Sequence, residues 1–214
     1  MYKVVVLWSG GFDSTGLLLW TLKQNYEVYP LFLNRHQNNY IWEKKAVDLL
    51  YSEIKKNYPK FILKEVRIFE IISPPLELKK EFGEKNVKFT HFLRNSDLIN
   101  NAVRLALCID ANNVFIGSTV DDEMDQNFPD TSLTYYEEKK KEVNVALERM
   151  GNNRKININA PFLEKRWDKQ EILKFLKDNF ENIDLKLTRS CFSKNEIPCG
   201  ECSACIERNE LHLG

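Results

Sequence analysis

Residues 9–15 read SGGFDST and lie between a β-branched run, Val4–Leu7, and a leucine-rich stretch, Leu17–Leu19. This order predicts a buried strand, a glycine turn and the start of a helix. Gly10 and Gly11 have no Cβ, so the backbone can approach a phosphate, and the first N–H groups of the helix attract its negative charge. The segment therefore predicts an anion cradle; a plain serine- and glycine-rich turn is the alternative. It matches neither GxxxxGK[ST] nor GxGxxG.

Four of the five cysteines lie close together near the C-terminal end of the sequence. Their spacing is C-x7-C-x2-C-x2-C, formed by Cys191, Cys199, Cys202 and Cys205. Two CxxC steps that share a cysteine direct thiolates at one centre, and Pro198 and Gly200 favour a tight turn. The pattern predicts a structural zinc site with four thiolate ligands. A redox dithiol, a disulfide framework and an iron–sulfur cluster are the alternatives. The fifth cysteine, Cys108, is predicted on the buried side of a helix.

The first residues, MYKVVVLWSGG, contain too short an apolar run for the core of a signal peptide and lead directly into the glycine turn. We therefore expect a cytoplasmic protein with reduced thiols and no membrane partner. The chain has 31 basic and 31 acidic residues and no net charge. Because this balance gives no overall attraction to nucleic acid, we expect a small-molecule substrate and no nucleic-acid partner.

Strand-like runs alternate with helix-length amphipathic segments, which is typical of parallel βαβ units. We predict strands over residues 3–8, 27–33, 63–69, 113–117 and 155–159, and helices over 14–24, 41–56, 96–111, 133–149 and 168–179. The expected fold class is α/β, with a doubly wound, mostly parallel five-stranded sheet. In this prediction, residues 1–185 form the α/β domain that carries the anion cradle, and residues 186–214 form a zinc segment packed on it. Residues 73–90 break the pattern and indicate a mobile insertion or a dimer contact, and we expect a homodimer.

The SGGFDST segment resembles the SGGxDS loop of the PP-loop ATP-pyrophosphatase superfamily, whose members cleave ATP between its α and β phosphates. Together with the cysteine pattern, it resembles the 7-cyano-7-deazaguanine synthase (QueC) family. Weaker matches lie between these motifs, at Leu93–Asn95, Val114–Gly117, 128–130, 167–172 and Thr188–Cys191. The resemblance implies an adenine nucleotide alpha hydrolase-like fold and an ATP-dependent ligase. The implied reaction converts 7-carboxy-7-deazaguanine and ammonia, through an adenylate and an amide, to the nitrile used in queuosine biosynthesis.

The resemblance and the chemistry of adenylation together assign site residues. ATP is expected to contact Ser9, Gly10, Gly11, Phe12, Asp13, Ser14, Thr15 and Arg35. Asp13 would repel phosphate and is better suited to hold Mg²⁺; a helix cap is its alternative role. Asp13, Ser14 and Arg94 are the expected catalytic residues, and Arg94, Asp122, Asp130 and His36 the expected substrate contacts. Asp122 and Asp130 belong to an acidic cluster whose carboxylates suit the N–H edge of a guanine-like base.

Two segments depart from the family pattern. Residues 34–40 replace its YGQ(R/K)H segment, and Thr131 stands where a cysteine commonly follows YPD. Both segments come near the acceptor pocket in the family, so three alternatives to nitrile synthesis stay open. The first is a paralogue that adenylates this or another carboxylate and stops at an amide or conjugate, for example on a protein. The others are a tRNA-thiolating enzyme, for which the chain lacks a cysteine pair outside the C-terminal cluster, and a non-catalytic nucleotide-binding module.

Overall fold

A five-stranded parallel sheet forms the centre of the computed structural model, which describes residues 1–71, 81, 93–124 and 129–213. The strands are β1 (Lys3–Leu7), β2 (Glu27–Asn34), β3 (Arg67–Glu70), β4 (Asn113–Phe115) and β5 (Asn157–Asn159). They lie in the order β3-β2-β1-β4-β5, and every neighbouring pair is parallel. The order switches direction between β1 and β4, and a ligand crevice is expected there, outside the carboxyl ends of the strands.

Helices connect the strands and flank the sheet. The described helices are α1 (Phe12–Lys23), α2 (Tyr40–Asn57), α3 (Arg94–Cys108), α4 (Val120–Met124), α5 (Leu133–Arg149), α6 (Pro161–Glu164), α7 (Lys169–Asn179) and α8 (Ser203–Glu210), with a 3₁₀ turn at Leu185–Leu187. Polar side chains fix several of their starts. Ser132 Oγ accepts from the N–H of Tyr135 at 3.1 Å, and Asp168 Oδ1 accepts from the N–H of Glu171 at 2.9 Å. Each bond satisfies a helix N–H that has no partner within the helix.

Alternate residues of β1 feed two hydrophobic layers on opposite faces of the sheet. Val4 and Val6 pack in one layer with residues of α1, α2 and α7, whereas Val5 and Leu7 pack in the other with residues of α3 and α5. β1 is the central strand, so both of its faces are covered by helices, which explains its continuous apolar run. The predicted doubly wound α/β fold is confirmed.

Two strands, β3 and β5, begin later than predicted. Leu63 is buried but meets Val28 only in an isolated bridge, and β3 itself begins at Arg67. β5 begins after Ile156, because the side-chain amide of Asn144 in α5 bonds both backbone groups of that residue, at 2.8 and 2.9 Å. Apart from residue 81, the predicted insertion at 73–90 lies outside the described residues.

The C-terminal segment, residues 188–213, shares the core of the sheet domain. Leu211 and Leu213 belong to the hydrophobic layer that contains Val4 and Val6. The Arg208 guanidinium donates to Thr188 Oγ1 at 2.5 Å and to the Leu213 carbonyl at 2.7 Å, which closes the segment on itself. The end of the described chain is therefore packed against the domain rather than trailing from it.

Cys108 corrects one prediction. It is the last residue of α3 and is exposed, because it follows the solvent-facing Arg104 by four positions while Leu105 and Ala106 turn towards the sheet. Among the helices of the described residues, none has both the length and the apolar composition needed to cross a membrane.

Gly10 gives a test of how closely α2 packs against the β1–α1 turn. Its φ is +78°, and a Cβ built on it would lie 2.9 Å from the backbone oxygen of Glu43 in α2. Gly151 is a matched control, because its φ is +74° and no atom lies within 4 Å of its Cβ position. We expect Gly151→Ala to lower the free energy of unfolding by about 1–2 kcal/mol, for the left-handed backbone alone. Gly10→Ala should lower it by about 2–5 kcal/mol, because overpacking is added. Urea denaturation measures both, and equal losses would contradict the close approach of α2.

Candidate active site

A cavity of about 340 Å³ opens at the carboxyl ends of β1, β2 and β4, at the expected switch point. Its walls come from the β1–α1 turn, the start of α3, the segment after β4, the start of α7 and the C-terminal segment. The polar residues that line it and matter below are Ser9, Asp13, Ser14, Arg35, Glu43, Arg94, Asp121, Asp122, Lys169, Ser190 and Glu207. One cavity thus collects residues from both ends of the chain.

The glycine turn forms a cradle at one wall of this cavity. α1 begins at Phe12, directly after Gly11, so its first N–H groups lie at the cavity. Ser9 and Ser14 bring their hydroxyls within 3.1 Å of each other across the turn. Gly117, after β4, packs against the start of α1, where a Cβ would lie 3.2 Å from Cα of Ser14. The turn therefore presents N–H groups and two hydroxyls, which suits an anion.

Two of the residues expected to contact ATP in this cradle do not line the cavity. Thr15 is fully buried, and its Oγ1 accepts from Nε1 of Trp8 at 3.0 Å. Gly10 does not line the cavity; it lets α2 approach the turn. Ser9, Gly11, Phe12, Asp13 and Ser14 do line it.

Asp13 is the most unusual group in the cavity wall. Its Oδ1 is buried and has no hydrogen-bond partner among the described residues. Burial raises the pKa of Asp13 to about 7, opposed by Lys169 and reinforced by Asp122, Glu207 and Asp121. A buried carboxylate oxygen without a donor is costly in a folded protein. A cation, or a proton below neutral pH, would satisfy it.

Lys169 and Glu207 belong to the same charge cluster, and motif reasoning did not assign them. Lys169 Nζ lies 2.9 Å from Glu207 Oε2, joining the first residue of α7 to α8. Burial lowers the pKa of Lys169, but Asp13, Glu207 and Asp122 outweigh burial, and the net shift is upward. Lys169 therefore stays cationic beside Asp13. The weak match at 167–172 was the signal that could have found it.

A second charge cluster lines another part of the cavity. Burial lowers the pKa of Arg35, and the charge of Arg94 lowers it further, whereas Glu43 opposes both. Glu43 is 8% exposed and accepts from Gln37 Nε2 at 2.6 Å and from Asn39 Nδ2 at 2.9 Å. Burial raises the pKa of Glu43 against these bonds. Two guanidinium groups around one carboxylate favour an anionic ligand. Glu43 was missed because no motif marked it.

The acidic residues after β4 divide into different roles. Asp121 and Asp122 line the cavity, and Asp122 Oδ2 accepts from Thr119 N at 2.9 Å at the start of α4. Burial raises the pKa of Asp122, against that bond. Glu123 pairs with Arg166 at 2.6 Å, and residue 125 lies outside the described residues.

Two of the expected substrate contacts lie away from the cavity lining. Asp130 is 3% exposed, and its carboxylate accepts from the backbone N of Asn95 at 2.6 Å and from its side-chain amide at 3.2 Å. It therefore fixes the start of α3, beside Arg94, rather than facing the cavity. His36 is exposed in a left-handed turn, with its N–H bonded to Asn34 Oδ1 at 2.9 Å, and it does not line the cavity.

The four cysteine sulfurs converge on one centre, as the spacing predicts. All four Sγ atoms lie within 4.8 Å of one another, and the thiols are free. Cys191 and Cys199 are 3.6 Å apart, and Cys199 and Cys205 are 3.9 Å apart, too far for a disulfide. Thiolates at about 2.3 Å around one tetrahedral ion lie about 3.8 Å apart. The residues therefore fit a single tetrahedral metal ion.

This cysteine segment, residues 188–213, also contacts the cradle. The N–H of Arg189 donates to the Gly10 carbonyl at 2.8 Å, and Ser190 Oγ accepts from the N–H of Phe12 at 3.4 Å. The Arg189 guanidinium turns the other way and donates to the carbonyls of Asn195 and Glu196, at 2.6 and 2.7 Å. The segment that holds the cysteines is therefore also a wall of the cavity.

Comparisons with known proteins agree with these features over nearly the whole chain. The family model described as "Queuosine biosynthesis protein QueC" matches residues 3–212. A 7-cyano-7-deazaguanine synthase of Acetivibrio thermocellus is 30% identical over 217 residues, covering 97% of this chain and 91% of that protein. A 7-cyano-7-deazaguanine synthase of Rickettsia conorii is 29% identical, covering 96% and 92%.

Solved structures support the fold. A 4-thiouridine synthetase, described in complex with RNA and with bound ATP, matches with a TM-score of 0.52 at 16% identity, over 99% of this chain and 50% of that one. The U34-tRNA thiolase NcsA from Methanococcus maripaludis, described with its 4Fe–4S cluster, matches with a TM-score of 0.52 at 14% identity, over 98% and 65%. At these identities the likeness is one of fold alone. The family match and the curated relatives go further, and this chain belongs to the QueC family of queuosine biosynthesis proteins.

Proposed function

We propose that the protein converts 7-carboxy-7-deazaguanine to 7-cyano-7-deazaguanine, using ATP and ammonia, and acts as a carbon–nitrogen bond-forming ligase. The observation that carries the ATP chemistry is the buried, partnerless Oδ1 of Asp13 at an anion cradle, with Lys169 close to it. The family membership and the names of the curated relatives support the deazaguanine acceptor.

The proposed reaction begins with an acceptor carboxylate oxygen attacking the α-phosphorus of ATP. The bond to the bridging oxygen breaks, and pyrophosphate leaves. Ammonia then adds to the acyl carbon and loses a proton, and AMP leaves with the carboxylate oxygen, which gives the amide. A second activation, on the amide oxygen, followed by loss of the N–H protons and AMP, gives the nitrile. Each removed oxygen therefore consumes one ATP.

Residues of the cavity suit these steps. The N–H groups at the start of α1 and the hydroxyls of Ser9 and Ser14 would bind the phosphates, and Lys169 would stabilise the charge that develops as pyrophosphate leaves. Arg94 and Arg35 would bind the carboxylate of the acceptor or the α-phosphate. Asp130 would act indirectly, by holding the start of α3 beside Arg94.

The Asp13 carboxylate, with Asp122 near it, suits Mg²⁺, because hard cations take carboxylate oxygens and the buried Oδ1 lacks any donor. Mg²⁺ bound there would supply positive charge against the phosphate oxygens. The role of Asp13 as a plain helix cap is less well supported, because its Oδ1 accepts no hydrogen bond and the first N–H of α1 donates to Ser190 Oγ instead.

Zn²⁺ is the metal proposed for the four cysteines. Around a 4Fe–4S cluster each thiolate binds a different iron atom, which spreads the sulfurs farther apart than around one ion. Separations of 3.6 and 3.9 Å favour the single ion. With four protein ligands, the metal would fold the segment rather than activate water.

A tRNA-thiolating activity is less well supported. Thiolation usually needs a cysteine pair near the ATP site, and Cys108, the one cysteine outside the cluster, lies exposed at the end of α3. A paralogue that stops at an amide or conjugate, for example on a protein, is the alternative to nitrile synthesis. The expected homodimer stays a prediction.

The products distinguish these outcomes. With ATP, Mg²⁺, ammonium and 7-carboxy-7-deazaguanine, we expect AMP and pyrophosphate, with two AMP formed for each nitrile, read by mass spectrometry and chromatography. One AMP for each amide, with no nitrile after long incubation, would establish the alternative. ADP and phosphate as the nucleotide products would contradict the proposed chemistry altogether.

The raised pKa of Asp13 predicts that kcat/KM for ATP depends on pH. Its pKa is raised to about 7, so the group loses its charge as the pH falls below 7, and only the carboxylate can hold a cation. We therefore expect kcat/KM for ATP, which reports the free enzyme, to fall as the pH drops from 8 to 6. Asp13→Asn should lower turnover by about 100-fold or more and remove this dependence. The exposed Asp110, in a left-handed turn that also suits asparagine, gives the control Asp110→Asn. A flat wild-type profile would refute the role of Asp13.

A further inference from the structure

Phe192 combines two properties that rarely occur together. Its side chain is 59% exposed, and it lines the cavity. Phe162 and Phe180, in contrast, are at most 2% exposed and belong to the hydrophobic core. An exposed phenylalanine ring loses the free energy of burial unless a ligand covers it.

Within the described part of the chain, the Phe192 ring pairs with no other aromatic ring. It also belongs to neither hydrophobic layer of the sheet. The ring therefore has no evident part in packing the fold, and its position in the cavity wall needs another explanation.

The backbone on both sides of Phe192 is fixed. Cys191 precedes it, is 1% exposed and lies in the cysteine cluster, and its carbonyl accepts from Asn39 Nδ2 at 2.9 Å. Ser193 follows it and donates its N–H to Cys191 Sγ at 3.4 Å. The cysteine segment thus holds the ring at the cavity edge and limits the entropy that a ligand would lose in ordering it.

Phe192 also lies close to the cradle. Ser190, two residues earlier, accepts from the first N–H of α1, and two residues span about 7 Å at most. Other walls of the cavity offer apolar side chains, including Leu33, Leu98 and Ile116. A flat, mostly apolar ring system would fit between such surfaces.

We propose that Phe192 stacks on the planar base of the acceptor and so sets its orientation towards the α-phosphate. This proposal rests on the deazaguanine acceptor proposed above and adds a binding residue to it. Aromatic side chains stack on any base because every base has a π face, and the contact adds affinity without reading hydrogen bonds.

The acceptor suits this position better than the adenine of ATP. Its carboxylate is attached directly to the ring, so the ring must lie close to the α-phosphorus that the carboxylate attacks. Adenine is separated from the same phosphorus by the ribose. Phe192 lies only two residues from Ser190, which contacts the cradle, so its ring is better placed to stack on the acceptor than on adenine.

Isothermal titration of the full-length protein, with a non-hydrolysable ATP analogue present, tests the proposal. We expect Phe192→Ala to weaken binding of 7-carboxy-7-deazaguanine by about 5- to 100-fold. Binding of 7-cyano-7-deazaguanine should weaken by a similar factor, because both share the ring. Phe192→Tyr should bind nearly as the wild type does, and the affinity for the ATP analogue should not change in either variant.

Ile197→Ala is the matched control. Ile197 is 79% exposed on the same segment, lies two residues from a cysteine of the cluster, and does not line the cavity. It should bind all ligands as the wild type does, and metal content measured for each variant shows that the cluster is intact. Equal acceptor affinity in Phe192→Ala and wild type would overturn the proposal, and so would a loss confined to the ATP analogue. If the wild-type protein binds no deazaguanine, the acceptor assignment itself fails.

Discussion

The cradle depends on two hydrogen bonds from the far end of the chain. Arg189 donates to the Gly10 carbonyl and Ser190 accepts from Phe12 N, so residues separated by about 178 positions set the geometry of the turn. A glycine-rich turn by itself has many conformations, and these bonds select one. The segment that provides them is short and has little core of its own, which makes the cysteine cluster the natural source of its order.

The same segment shapes the electrostatics of the cavity. Glu207 lies two residues after Cys205 and forms a salt bridge with Lys169. The positive charge of Lys169 in turn lowers the pKa of the buried Asp13. Around Asp13 the carboxylates of Asp121, Asp122 and Glu207 act together with one lysine. Burial raises the pKa of Asp13, this excess of acidic groups raises it further, and a bound cation would relieve both effects. Residues that fold the C-terminal segment therefore also act on the proposed site of metal-assisted chemistry.

The two ends of the candidate site are easier to predict from the sequence than its middle. The cradle and the cysteine cluster could be predicted because each is local: the turn needs glycines beside a helix start, and a metal needs closely spaced thiolates. Glu43, Lys169 and Glu207 reach one cavity only through the sheet topology. No motif marks Glu43 or Glu207, and only the weak match at 167–172 covers Lys169. Asp130 shows the converse difficulty: a carboxylate that suits a guanine edge suits the start of α3 equally well, and its burial against Asn95 favours the second role. The strand order follows from βαβ alternation, whereas the start of β5 depends on a single side chain, Asn144, that competes for backbone bonds.

Hydrogen exchange, measured by mass spectrometry before and after removal of the metal, tests most directly whether the cysteine segment holds the cradle. Elemental analysis of the starting protein should find one zinc per chain. When a chelator removes it, we expect faster exchange both in residues 188–213 and in residues 9–15, while α5, on the opposite layer, stays protected. Faster exchange in residues 188–213 with unchanged exchange in residues 9–15 would contradict the dependence of the cradle on the cysteine segment.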